Sequence, residues 1–257
     1  MKQFFSFNRF NLLVLKHWTE NKKIYGLSVL AYFGLLLLRF LFSIIVHDHQ
    51  LMPHDIQQIT FFFPLFIIGT FYASQYFSEL GSRAKGSNLL LVPASTFEKF
   101  LCSLLYTVLL FFVVFTAVYY LLDILMVSIT NAVIAADEPA QKATVINVFK
   151  TEFIQLNSES AINLVLFFFS IQSLFLLGSV HFKKYSFIKT IISGFVVYII
   201  LFSLVFFLYR TCVPGGDRPD GPAQIPEWIM QVLVLLAYII APISWIVTYY
   251  RLKQKQV

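Results

Sequence analysis

Histidines and carboxylates crowd one short stretch of the chain, where His47, Asp48, His49, His54 and Asp55 fall within nine residues. Imidazole and carboxylate are the side chains that hold zinc or copper. Their spacing fits no standard metal motif, and Pro53 disrupts a helical i, i+4 pair. A hydrated loop is the plainer reading, with His47, His49 and His54 as weak metal candidates. A second stretch, 81–88, reads Gly-Ser-Arg-Ala-Lys-Gly-Ser-Asn. A phosphate loop requires Lys and then Ser or Thr after its second glycine. Ser87 and Asn88 stand there instead, and an apolar run rather than a buried strand precedes them. The chain therefore carries no nucleotide site of its own. It also lacks His-Glu-x-x-His, Gly-x-Ser-x-Gly and any pair of acids within an apolar run. No enzyme activity and no cofactor are expected of it.

The elements around these residues belong to a membrane. Hydrophobic types make up 58% of the 257 residues and charged types 12%, with a mean hydropathy of +0.76. A soluble domain carries about 25% charged residues. The net charge of +6 comes from basic residues at the ends of apolar runs. Topology accounts for it, and no nucleic-acid partner is expected. A helix needs about 20 apolar residues to cross about 30 Å of hydrocarbon. Six runs qualify: 24–46, 59–77, 100–122, 161–180, 187–209 and 228–250. The expected fold is all-α, a single polytopic membrane domain over residues 1–257. No cleavable leader is read in the N-terminal segment. Cys102 and Cys212 fall on opposite sides and should not pair.

Lysine and arginine orient the runs. Fourteen lie in the two termini and in the loops after runs two and four, against four (Lys142, Lys150, Arg210 and Arg218) in the other loops. Both termini are therefore expected in the cytoplasm. Arg39 is the one formally charged residue in the interior of a run, Lys189 falling in the first turn of run 187–209. It lies about 10 Å of helix from Val46 at about 1.5 Å per residue, within reach of the outer interface by snorkelling. Snorkelling and lining of an internal path both suit it. Gln75, Asn163 and Gln172 suit either interhelical hydrogen bonds or a path. Pro64 and Pro242 fall inside runs and should kink them or free a carbonyl.

Ahead of the first run, Phe7, Phe10, Val14 and Trp18 share one arc of a helical wheel, with Arg9, Lys16, Glu20 and Lys23 opposite. This pattern predicts an interfacial helix over residues 7–23. The outer segment 123–160 predicts a second short amphipathic helix, with Asp137, Glu138 and Pro139 at its start and Val145, Phe149, Phe153 and Leu156 at helical spacing. The outer loop 210–227 is Pro/Gly-rich and reads as irregular turns. In the inner loop 78–99, Ser95-Thr96-Phe97-Glu98 fits a capping box. A helix should begin near Thr96 and run into the third span. Leu89–Val92, apolar and beside Arg83 and Lys85, suits a partner surface or a dip into the headgroup layer.

Together these parts resemble the permease subunits of bacterial type-2 ABC exporters. That family combines a cytoplasmic surface helix, six spans, and an inner loop between spans two and three that contacts the ATPase. The phrase Asn88-Leu-Leu-Leu-Val-Pro-Ala-Ser-Thr-Phe-Glu-Lys-Phe-Leu101 is similar to one seen in its bacterial members. The resemblance implies a location in the bacterial cytoplasmic membrane and a separate ATP-binding ATPase subunit. It implies a homodimer or a heterodimer with another permease, embedded in the lipid bilayer. ATPase docking then falls to Arg83, Lys85, Leu89, Leu90, Glu98 and Lys99, and a translocation path to Arg39, Gln75 and Gln172. The resemblance names no substrate. A membrane anchor, assembly factor or immunity-type protein is the alternative. A small secondary transporter or channel ranks third, since all 13 acids are read in flanks or loops.

Overall fold

The computed structural model describes residues 5–46, 54–81, 91–133, 144–145, 147–148, 159–212 and 227–255. The described residues form helices and no strand. Helix α1 is Phe7–Val46 and α2 is His54–Tyr76, followed by a 3₁₀ turn at Ser78–Gly81. Then comes one rod of three pieces: α3 (Thr96–Leu104), a π-helical segment (Leu105–Leu110) and α4 (Phe111–Val133). Helices α5 (Glu159–His181), α6 (Ser186–Cys212) and α7 (Glu227–Gln254) complete the chain. Four stretches are long and apolar enough to cross a membrane: Phe7–Phe42, Gln57–Tyr76, Thr96–Ala132 and Ile162–His181. A shorter apolar stretch, Ser186–Ile200, opens α6.

The expected surface helix and first span are one helix of 40 residues. No Gly or Pro lies between Phe7 and Tyr25 to end a helix there. The polar residues between support the turn, as Asn21 donates to the His17 carbonyl at 3.0 Å. At about 1.5 Å per residue α1 measures about 60 Å, twice the hydrocarbon thickness of about 30 Å. Its N-terminal part contacts the rest of the chain through Ser6, Arg9, Val14 and His17. Phe10 and Val14 are half-buried and Phe7 and Trp18 are exposed, so the wheel's apolar arc is split. Arg9, assigned to the water face, turns inward.

Two further expectations are corrected. The third span ends about ten residues later than the apolar run, because α4 continues to Val133. Asp123, read as loop, therefore lies inside α4 and is buried. Residues 144–145 and 147–148 are non-helical, so the second amphipathic helix does not run through Val145. The Gln57 side-chain amide donates to the Thr144 carbonyl at 3.3 Å, and the Val148 N–H donates to the Tyr120 hydroxyl at 3.1 Å. These outside partners take up backbone groups that a helix would have bonded internally. Val148 is fully buried there. Phe149, Phe153 and Leu156 lie outside the described residues. Both prolines sit inside helices that continue past them.

The core has two parts. One is aromatic: Tyr32, Phe40, Phe61, Phe115, Tyr119 and Phe168 interlock between α1, α2, α4 and α5. Tyr32 and Phe115 stack at 4.4 Å, and Phe61 meets Tyr119 edge-on at 5.0 Å. The other part gathers Ala73, Phe77, Phe100, Leu176, Val180 and Leu252 from α2, α3, α5 and α7. Small residues let these helices approach closely. A Cβ on Gly178 would run into Thr190 Oγ1, and one on Gly69 would fall 2.5 Å from a ring atom of Phe168. By contrast, side chains around the whole circumference of α6 from Ile191 to Ile200 are exposed.

Contacts sort the segments into two ends. The start of α1, the end of α2, the start of α3, the end of α5 and the end of α7 meet at one end. Val180 on α5 packs with Leu252 on α7, whose neighbour Lys255 donates to the Val180 carbonyl. Burial there, with Lys183 adding repulsion, holds the Lys255 ammonium below the usual lysine range. The start of α2, the later part of α4 and residues 144–148 meet at the other end.

Candidate functional site

The most organised polar feature lies at the first of these ends. Ser95 caps α3 with an extended backbone (φ −66°, ψ 157°). Its hydroxyl accepts from the Glu98 N–H at 3.1 Å, and its own N–H donates to Glu98 Oε2 at 2.7 Å. This is the predicted capping box. Its acid has a second task that no local pattern could reveal. Glu98 Oε1 accepts from the Ser6 N–H at 2.8 Å and from Arg9 Nη2 at 3.1 Å. The Glu98 side chain is fully buried, while that of Arg9 is 38% exposed. One carboxylate therefore caps α3 and anchors the first turn of α1. A carboxylate accepts several donors without losing its charge, which suits it to a crowded joint.

Other contacts continue this joint. The Tyr106 hydroxyl donates to the Val14 carbonyl at 2.9 Å. Phe97 meets Phe5 and Tyr249 edge-on, at 6.2 and 6.4 Å between ring centroids. The His17 ring sits 4.4 Å from Tyr106 and 4.9 Å from Tyr76, and its Nε2 lies 2.5 Å from the Tyr25 hydroxyl. The start of α1, the rod and the end of α7 are thus joined at one place.

The residues assigned to ATPase docking fall in two groups. Glu98 and Lys99 are buried in the first turn of α3. Arg83, Lys85, Leu89 and Leu90 lie outside the described residues. Leu91, next in line, is 78% exposed. Of the path candidates, Gln172 is buried and its amide donates to the Thr107 carbonyl within the π-helical segment. A π turn leaves carbonyls without their α-helical partner, and Gln172 supplies one across the helix interface. Gln75 is exposed and lines a cleft beside Lys183. Asn163 accepts from the Tyr238 hydroxyl at 2.7 Å.

Arg39 is half-buried and lines a narrow cavity with Gln57, Thr60, Tyr119 and Asp123. Gln57 Oε1 and Asp123 Oδ2 are buried there without a hydrogen-bond partner among the described residues. The structure thus brings a basic and an acidic residue to one cavity at the end opposite Glu98. Length counting misses Asp123 because the run already reaches spanning length at Leu122, whereas the apolar stretch and its helix continue through Ile124–Val127.

His47 and His49 lie outside the described residues, and His54 opens α2. Among the described residues no three His, Cys, Asp or Glu side chains gather to hold a metal. Cys102 is a buried free thiol.

The chain matches no protein-family model, no curated protein and no solved structure.

Proposed function

We propose that the chain is the membrane-spanning permease subunit of an ATP-driven exporter, energised by a separate ATPase chain. Six helices cross the bacterial cytoplasmic membrane, with both termini in the cytoplasm. The observation that carries this reading is the joint at Glu98. The rod formed by α3, the π segment and α4 starts at this joint and continues through the hydrocarbon. The exposed Leu91 and the basic loop lie just ahead of it. A push delivered to that loop reaches a capped, rigid helix start, and packed helices shift as units rather than bending at each residue. The same joint ties in the start of α1 and the end of α7, so the push is shared among three elements.

Charge supports the orientation. Among the described residues, eleven basic ones lie in or beside the segments that meet at the Glu98 end. Lipid-facing apolar surface on α6 supports membrane immersion, and a second permease copy completes the transporter. Arg39 and Asp123 line the outer end of the bundle, where substrate would leave. The test replaces Arg83 and Lys85 with Glu and Leu90 with Asp in the full chain. ATPase copurification and ATP-dependent export should be lost while the protein remains inserted and folded. Retention of both would refute the docking role.

A further inference from the structure

A cleft of about 280 Å³ lies between the end of α2 and the turn joining α5 to α6. Gln75, Ser78, Lys183, Tyr185 and Ser186 form its polar part, and Phe71, Phe187 and Ile188 form its apolar part. Tyr185 holds a left-handed backbone (φ 54°), a conformation a tyrosine rarely adopts. Helix α6 starts immediately afterwards, so its first-turn N–H groups lie at the cleft wall. Those groups have no carbonyl partner within the helix, and the helix dipole adds partial positive charge.

An independent observation points to a ligand. Ser186 is 6% exposed and lines the cleft, yet its hydroxyl has no hydrogen-bond partner among the described residues. A buried hydroxyl without a partner is costly, and an acceptor seated in the cleft would remove that cost. The available donors are Lys183 Nζ, the Ser186 hydroxyl, the Gln75 amide and the α6 N-terminal amides. Donor-bearing residues lining a cleft at a helix start suit a phosphate oxygen group.

We infer that this cleft binds the phosphate headgroup of an anionic phospholipid from the adjoining leaflet. The apolar wall favours a lipid over a free anion. Phe71 and Ile188 are 51% and 54% exposed and continue the cleft onto the membrane face, where acyl chains lie. The surrounding basic residues, Lys183, Lys184 and Lys189, add attraction to an anionic leaflet. This assignment does not depend on the exporter reading, because any membrane role is compatible with it. It also gives Gln75 a lipid-contact role in place of a path-lining one.

The test uses the full chain purified in detergent and titrated with dioleoyl phosphatidylglycerol, dioleoyl phosphatidylcholine or inorganic phosphate. Bound lipid is counted by native mass spectrometry. Phosphatidylglycerol should bind at least about tenfold more tightly than phosphatidylcholine, whose phosphate offers the same acceptor oxygens but whose choline cation is repelled by Lys183 at the cleft. Lys183→Gln combined with Ser186→Ala should remove most of that preference. Lys184→Gln, outside the cleft lining, should leave it within about twofold. Unfolding temperatures in lipid-free detergent check that each variant remains folded, and Ser186→Ala alone serves if the double variant does not. Three results would overturn the assignment. They are no phosphatidylglycerol preference, an equal loss from Lys184→Gln, or displacement of the lipid by millimolar inorganic phosphate.

Discussion

Replacing Glu98 with Ala should destabilise the fold by about 2–5 kcal/mol. The figure follows from the donors that would be stranded. Ser95 N–H and Ser6 N–H lie 2.7 and 2.8 Å from the carboxylate. Each loses its acceptor in a partly buried setting, at about 1–2 kcal/mol per group. Arg9 adds only about 0–1 kcal/mol, because its side chain is 38% exposed and water screens the pair. Glu98→Gln keeps an acceptor oxygen and should cost about half as much. Equilibrium unfolding in mixed micelles reads these values. A double-mutant cycle with Arg9→Ala isolates the ion pair and should return a coupling near 1 kcal/mol or less. Limited proteolysis should cut the N-terminal segment of Glu98→Ala faster than that of the native chain. If Glu98→Ala unfolds within about 1 kcal/mol of the native chain, the joint does not hold α1 to α3, and the lever built on it fails.

The remaining expectations concern packing and placement. Gly178→Ala drives a methyl into Thr190 Oγ1. It should cost about 1–3 kcal/mol, most of which Thr190→Ala restores; an undiminished loss in the double variant would show that α5 and α6 do not meet there. Gln172→Leu leaves the Thr107 carbonyl unpartnered and should cost about 1–2 kcal/mol, whereas unchanged stability would remove Gln172 from the helix interface. A C-terminal alkaline phosphatase fusion should be inactive, and activity in the periplasm would reverse the topology. The thiol introduced by Arg39→Cys should react with a membrane-impermeant reagent added from outside; protection equal to that of the buried Cys102 would place residue 39 away from the outer cavity.

What can be read from residues alone is local, or long-range in a simple way. The capping box at Ser95 needs only four consecutive residues, and the structure shows both halves of it. The apolar stretches that define the helices depend only on length and hydropathy, and each is helical over nearly all its length. Facing and termination are not legible. A wheel sorts residues into apolar and polar arcs, and it assigns Arg9 to water because Glu98 lies 89 residues away. The third run is closed at Leu122 because Asp123 is charged and the run is already long enough to span, although Ile124–Val127 are apolar too. A carboxylate can instead stay in the helix when Arg39 lines the same cavity. The π segment has no signature in Leu-Tyr-Thr-Val-Leu-Leu, whose residues suit an α-helix equally well. The helical spacing of Val145 and its successors is present in the sequence, but side chains from α2 and α4 out-compete a helix for the backbone at Thr144 and Val148.

The exporter reading is tested most directly by ATP hydrolysis in the complex purified through a tag on the full chain. Native membranes are solubilised in mild detergent, and the tagged chain is recovered with its bound partners and reconstituted in liposomes. The account predicts recovery of an ATPase with Walker motifs, ATP hydrolysis, and loss of both when Arg83 and Lys85 become Glu and Leu90 becomes Asp in a chain that still inserts and folds. A chain that purifies without any ATPase, and whose liposomes neither hydrolyse ATP nor export, would contradict it.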